Sequence, residues 1–349
     1  MNVLGQKILP CLAALLFCFW SATLARADAI SDFYAGRTIN IIVSTQPGTI
    51  FDSTARAVAR FLPKFVPGSP AIMVRNMPDA SQTRVPQYMY AQAAKDGTYI
   101  GVINNDVPFE QLMRGRAIVR FDVRKFNWIG SAGLSNLLTL SWHTSGATQV
   151  DDLLTRELVA GATGVSSNGY LHAQVLNALL GTKIRIETNY GSGMDVARSM
   201  ERGDINLRAG FSLSALRLMH PDWLRDKKVN VLIQTGIVRE PSLPDVPLLQ
   251  DFAKTPEQRA ILMLLSSSAG VGRPFFMPPD VPLDRVEAMR IAFARTLADP
   301  DFLKHAERAN LDIRYMDGPD LGALVNAIVD APEPVVEILR SALSSASQE

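Results

Sequence analysis

Thr38-Ile39-Asn40-Ile41-Ile42-Val43 runs into Ser44-Thr45-Gln46-Pro47-Gly48-Thr49-Ile50-Phe51-Asp52, and this stretch decides the fold. The first six residues are mostly β-branched and apolar, the pattern of a buried strand. The segment that follows has apolar residues at Ala55, Val58, Ala59, Leu62 and Phe65, with Arg56, Arg60 and Lys64 on other faces. That spacing predicts an amphipathic helix, and Pro67-Gly68 stops it. A second strand is expected at Ala71–Val74, a helix over 83–94, a turn at Asp96-Gly97 and a third strand over 98–103. A β-α-β-α-β order implies a parallel sheet with helices on its faces.

The pattern then restarts. Strands are expected at 137–142, 157–160, 183–187, 206–209 and 229–235, with helices at 170–180, 194–202 and 212–219. This is a second parallel-sheet lobe. Phe126-Asn127-Trp128-Ile129-Gly130 reads as a buried strand at the lobe boundary, with Trp128 in the core. Pro and Gly cluster over 270–282, which reads as a crossing segment. The tail reads as helices over 283–298, 300–309, 319–329 and 334–344, too few strands for a sheet of its own, and is expected to pack back on the first lobe. The expected architecture is α/β, with two lobes of mainly parallel sheet facing each other across a cleft. Residues 28–130 with 270–349 form lobe one, and 131–269 form lobe two.

The N-terminus predicts export. Lys7 precedes the apolar run from Ile8 to Trp20, and Ala25-Arg26-Ala27 is a small-x-small cleavage site. The run is shorter than the roughly 20 residues needed to cross a bilayer. Residues 1–27 are therefore read as a cleaved signal peptide, and the mature chain as a soluble periplasmic protein. Both cysteines, Cys11 and Cys18, lie inside that leader. The mature chain then has no disulfide, no thiolate nucleophile and no cysteine-based zinc site. Loss of Lys7 and Arg26 lowers the formal net charge from +1 by two, to about −1. Without a basic excess, nucleic acid is not an expected partner.

In parallel α/β sheets, ligands bind beyond the carboxyl ends of the strands. That singles out the strand-to-helix loops. The first contains Ser44, Thr45, Gln46, Gly48, Thr49, Phe51 and Asp52, where helix N–H groups and the helix dipole favour an anion. An ordinary turn capped by Thr49 or Asp52 is the alternative. The second loop contains Gly164, Ser166, Ser167 and Asn168; the third contains Tyr190 and Gly191; Asn104 follows the third strand. Phe51, Trp142, Tyr170 and Tyr190 lie at or beside these loops as candidate cleft-lining aromatics. His143, His172, His220 and His305 are scattered without metal-ligand spacing, and His172 is read as a helix-surface or cleft residue. Gly164-Val165-Ser166 lacks the last glycine of a nucleophile elbow, and Gly191-Ser192-Gly193 lacks the third glycine of a dinucleotide loop. No catalytic residue, metal or cofactor is expected.

Several stretches recur in one known family. These are Phe33-Tyr34-Ala35-Gly36-Arg37-Thr38-Ile39, Ile42-Val43-Ser44-Thr45-Gln46-Pro47-Gly48 with Asp52, Asn76-Met77-Pro78, and Lys95-Asp96-Gly97-Thr98-Tyr99-Ile100-Gly101. Phe126-Asn127-Trp128-Ile129-Gly130, Gly181-Thr182-Lys183 and Met200-Glu201-Arg202-Gly203-Asp204 continue the series in the same order. The chain resembles the substrate-binding proteins of tripartite tricarboxylate transporters, the TctC or Bug receptors, over nearly all of its expected mature length. The resemblance implies a type II periplasmic-binding-protein fold, monomeric, closing on a small carboxylate-bearing solute and handing it to membrane permease subunits. It implies that the carboxylate is held by the loops 44–52 and 164–169. A ligand-presenting receptor for a sensor kinase and a periplasmic enzyme are the alternatives.

The chain departs from that family at two places. Many relatives carry two or three glycines where Gly48-Thr49-Ile50-Phe51 stands. Thr49 and Ile50 are β-branched, resist positive φ and fill space beside the expected anion site. The usual Pro-Gly-Ala-Gly is here Pro78-Asp79-Ala80-Ser81, and Asp79 is expected to bring a negative charge toward the cleft.

Overall fold

The β-branched run at the start of the chain is a central strand, flanked on both sides by parallel neighbours. In the computed structural model, which describes residues 29–79, 83–115, 119–134, 136–165 and 167–344, β1 (Thr38–Val43) lies between β2 (Ala71–Asn76) and β3 (Tyr99–Val102). Ile39, Ile41 and Val43 are fully buried, as expected of a strand covered on both faces. The expected leader and Ser166 lie outside the described residues.

The first sheet continues with antiparallel strands: β4 (Asn127–Ser131), β10 (Pro274–Met277) and the short β11 (Met316–Asp317), in the order β11-β4-β10-β3-β1-β2. Trp128 is buried on β4, as expected, and donates its indole N–H to the Val123 carbonyl at 3.1 Å. The second sheet has the order β7 (Ile184–Glu187), β6 (Leu158–Gly161), β8 (Leu207–Ser212), β5 (Leu137–Trp142) and β9 (Val229–Thr235). Strands β7, β6 and β8 run parallel, while β5 is antiparallel to both β8 and β9.

Two expectations need correction. The Pro- and Gly-rich stretch over 270–282 is more than a connection, because it contains β10, which is inserted between β3 and β4 with all four residues buried. Pro274 is tolerated because it stands at the first position of the strand. The tail also does not pack on the first sheet alone. Helices Leu283–Ala298, Pro300–Arg308 and Gly318–Val329 do so, against β4 and helix Ile50–Phe61. The final helix, Glu333–Ser344, instead reaches helix Asn168–Val175 of the second sheet. Val336 and Leu339 share one core with Val175 and Leu176, so apolar burial draws this helix across both halves.

Among the described residues, no helix is long and apolar enough to cross a membrane.

Candidate functional site

The first loop holds itself together. Gly48 carries the positive φ of the turn, +83°, so the β-branched residues after it need none. Thr49 has φ −72° and ψ 165° and caps helix Ile50–Phe61, accepting from Asp52 N. Its hydroxyl also meets Thr45 Oγ1 at 2.6 Å. Asp52 is buried, with its carboxylate turned back on the loop. It accepts from Gly48 N at 2.9 Å, from Asn76 Nδ2 at 2.8 Å and from Arg56 Nε at 3.0 Å. Burial alone would raise the pKa of this carboxyl, but the bonds from Arg56, Gly48 and Asn76 outweigh it and hold the group below the ordinary carboxylate value. Asp52 is therefore a brace, with its oxygens and charge already matched.

Ile50 and Phe51 carry the cleft-facing surface of this loop. They line a cavity of about 170 Å³ together with Asn104, Leu137, Asn168, Phe211, Ala215 and Arg273. A second cavity of about 200 Å³ lies on the side of β6 and β8, lined by Gly161, Thr163, Ser167, Gly169, Gly193 and Arg208. The two share Asn104, Asn168, Gly210 and Phe211, so they form one continuous cleft between the sheets.

Helix Asn168–Val175 opens on the second cavity. Ser167 is its cap, accepting from Tyr170 N and donating to the Gly164 carbonyl at 2.8 Å. Helix Gly193–Arg202 also begins there, capped by Ser192. The N–H groups of a first helical turn have no intrahelical partner and favour an anion.

Arg208 supplies the charge. It lies on β8 with its guanidinium carbon 3.5 Å from the centre of the Phe211 ring. Its NH1 is buried and has no partner among the described residues. A Cβ at Gly193 would stand 3.1 Å from Arg208 NH2, so a glycine at that position makes room for the guanidinium. Burial pulls the Arg208 pKa down to about 9, which still leaves a cation at neutral pH. Stacking on Phe211 leaves the N–H edges of the fork available for in-plane bonds to a carboxylate.

The other guanidinium of the cleft is held by carbonyls. Arg273 donates through NH2 to the carbonyls of Ala132 and Asp312. Burial lowers its pKa to about 10, while the Asp312 carboxylate acts in the opposite sense. Asp106 is buried, bonded to Asn168, and pushed up to about 7 by burial and then by Glu110.

The structure brings together Phe51, Asn104, Ser167 and Asn168 from the sequence-derived set. Ser44 is buried at the end of β1, its N–H bonded to the Val102 carbonyl. Thr45, Gln46, Gly48 and Thr49 build the turn behind Ile50 and Phe51 rather than the cavity wall. Tyr190 bonds Glu187 at 3.1 Å and packs on the core, and Gly191 is exposed beside it. Trp142 is buried against Trp223, with ring centres 5.3 Å apart. His172 is buried rather than on a helix surface, and burial pulls its pKa down to about 4, so its ring is neutral. Asp79 is not among the residues lining the two cavities; its carboxylate accepts from Thr83 N and Arg84 N at the start of helix Arg84–Ala91.

The residue that sequence reading missed is Arg208. Its signal was available: a lone arginine inside the apolar run Leu207-Arg208-Ala209, where a charge is unexpected unless it has a task.

No family model and no curated protein matches the chain. Solved structures do. A TctC solute-binding protein from Polaromonas is 16% identical with a TM-score of 0.65, covering 89% of this chain and 99% of that one. The periplasmic binding protein BugD is 17% identical with a TM-score of 0.65, covering 88% and 98%. MatC from Rhodopseudomonas palustris, solved with bound malate, is 17% identical with a TM-score of 0.63, covering 87% and 99%. The chain has the two-lobed α/β fold of the TctC and Bug periplasmic binding proteins.

Proposed function

We propose that this protein is an extracytoplasmic receptor that captures a small carboxylate-bearing solute between its two lobes and delivers it to the permease subunits of a tripartite tricarboxylate-type transporter. The observation that carries this reading is the unpaired guanidinium of Arg208, set in the cleft beside the N-termini of two helices. A half-buried cation with a buried, unpartnered N–H group and no counter-ion is an electrostatic demand that an incoming carboxylate meets. Residues 28–130 with 270–349 act as one lobe and 131–269 as the other, with the final helix, Glu333–Ser344, packed across both. The leader over 1–27 directs the chain to the periplasm, where it works as a monomer. It performs no covalent chemistry; its output is the closed, loaded state presented to the permease. Malate bound to MatC, a protein of the same fold, is in keeping with a carboxylate ligand.

The test is a thermal-shift comparison of carboxylic acids with their neutral amides on the mature protein. A ligand that binds only the folded state raises stability by about 2.7 kcal/mol at a hundred times its Kd. Stabilisation by at least one acid, absent with its amide, is expected. Stabilisation by neutral or cationic solutes alone overturns the reading.

A further inference from the structure

We infer that the solute is an amphipathic monocarboxylate, seated with its carboxylate on Arg208 in the second lobe and its apolar body in the cavity against Ile50 and Phe51 of the first. This rests on the receptor reading above and specifies its ligand. The two ends of the cleft differ in chemistry. At the β8 end stands Arg208, with NH1 lacking a partner and a glycine at 193 leaving space beside NH2. At the other end the wall is formed chiefly by Ile50, Phe51, Leu137, Phe211 and Ala215.

The charges set the number of carboxylates. Arg208 stands in no ion pair among the described residues. Arg273, the other guanidinium at the cleft, gives its NH2 to the Ala132 and Asp312 carbonyls and lies in the field of the Asp312 carboxylate. With NH2 committed to those carbonyls, neither bidentate edge of the fork, Nε with NH2 or NH1 with NH2, is free for a second carboxylate. A second carboxylate on the ligand would therefore find no free guanidinium fork at that end of the cleft, which is unfavourable. The size of the body follows from the apolar cavity. Its volume, about 170 Å³, slightly exceeds the roughly 150 Å³ that accepts a benzene ring in an engineered apolar cavity.

Isothermal titration of the mature protein with hexanoate, phenylacetate, adipate, citrate and hexanamide tests this. Hexanoate or phenylacetate is expected to bind at least tenfold more tightly than adipate or citrate, and hexanamide not measurably. Arg208→Gln is expected to weaken the preferred acid by a hundredfold or more, and Arg208→Lys to restore part of that loss. Thermal unfolding of each variant shows that it is folded. Phe51→Ala is expected to weaken hexanoate by a larger factor than propionate. Adipate or citrate binding more tightly than hexanoate overturns the inference and leaves the receptor reading standing. So does hexanoate binding unimpaired in folded Arg208→Gln protein. If no carboxylate binds, both readings fall.

Discussion

The two rims of the cleft begin from the same topology and end with opposite chemistry. Each is a strand running into a helix whose N-terminus faces the space between the sheets. At the first rim, Thr45, Thr49, Asp52, Arg56 and Asn76 form a closed network, and each polar group meets another within the loop or just behind it. What remains toward the cleft is Ile50 and Phe51. At the second rim, Ser167 and Ser192 cap their helices, but Arg208 on the neighbouring strand is left without a counter-ion. A helix N-terminus alone therefore does not define an anion site. The balance of charge around it decides, and that balance differs by a whole cation between the rims.

Four substitutions break or sharpen this contrast. The largest effect is expected at the second rim: Arg208→Ala removes one side of a desolvated charge pair, at a cost of about 2–5 kcal/mol in binding. Calorimetry with the preferred acid reads it as a loss on the order of a hundredfold. Next comes Asp106, a buried neighbour in sequence of Asn104 and Asn105 of the cavity wall. Its folded-state pKa is raised, to about 7, so the folded protein keeps a proton that the unfolded chain releases near pH 4. Stability is then fully present below about pH 4, declines as pH rises, and levels off above about 7. Asp106→Asn is expected to flatten that slope and to raise stability at pH 8 by on the order of 3 kcal/mol. Chemical denaturation at several pH values measures it, and a slope unchanged by the substitution would sink the idea.

Asp52 is the counterpart at the first rim and has the opposite sign. Its folded-state pKa is lowered, so its stabilisation is present above the unfolded value near 4 and is lost as pH falls through the folded value. Asp52→Asn is expected to destabilise by about 2 kcal/mol at pH 7 while changing ligand affinity little. An affinity loss as large as that of Arg208→Ala would instead make the first loop the anion site. The smallest effect is expected from Phe51→Ala, about 1–2 kcal/mol of lost apolar contact, seen mainly as weaker binding of acids with long or aromatic bodies.

Much of the scaffold was legible in the chain, and the exceptions have identifiable causes. Thr38–Val43 and Val229–Thr235 read as strands because β-branched runs of that length favour little else. Pro274–Met277 was masked by the prolines and glycines around it, although a strand's first position accepts proline. Helix Pro256–Val271 gave no clear periodicity because residues such as Ile261, Leu262, Leu264 and Leu265 are buried around much of its circumference. The candidate site was legible only in part. The loops were found from their position after strands, and Phe51, Asn104, Ser167 and Asn168 do line the cleft. Asp52 stands where expected, but its carboxylate turns back on the loop: Arg56 is its i,i+4 neighbour on the same helix, while Asn76 comes from a strand that only folding brings to it.

The sequence by itself determined the alternation of strands and helices, the division into two repeating halves and the loops that border a cleft. These depend on local periodicity and turn chemistry, which neighbours in the chain carry. Tertiary structure alone decided which polar groups at the cleft are already paired. In the loop that began as the favoured anion site Thr45, Thr49 and Asp52 are already paired, and an unmatched charge stands on β8, more than a hundred residues further along the chain. Pairing is a property of distances between remote segments, and no local pattern encodes it.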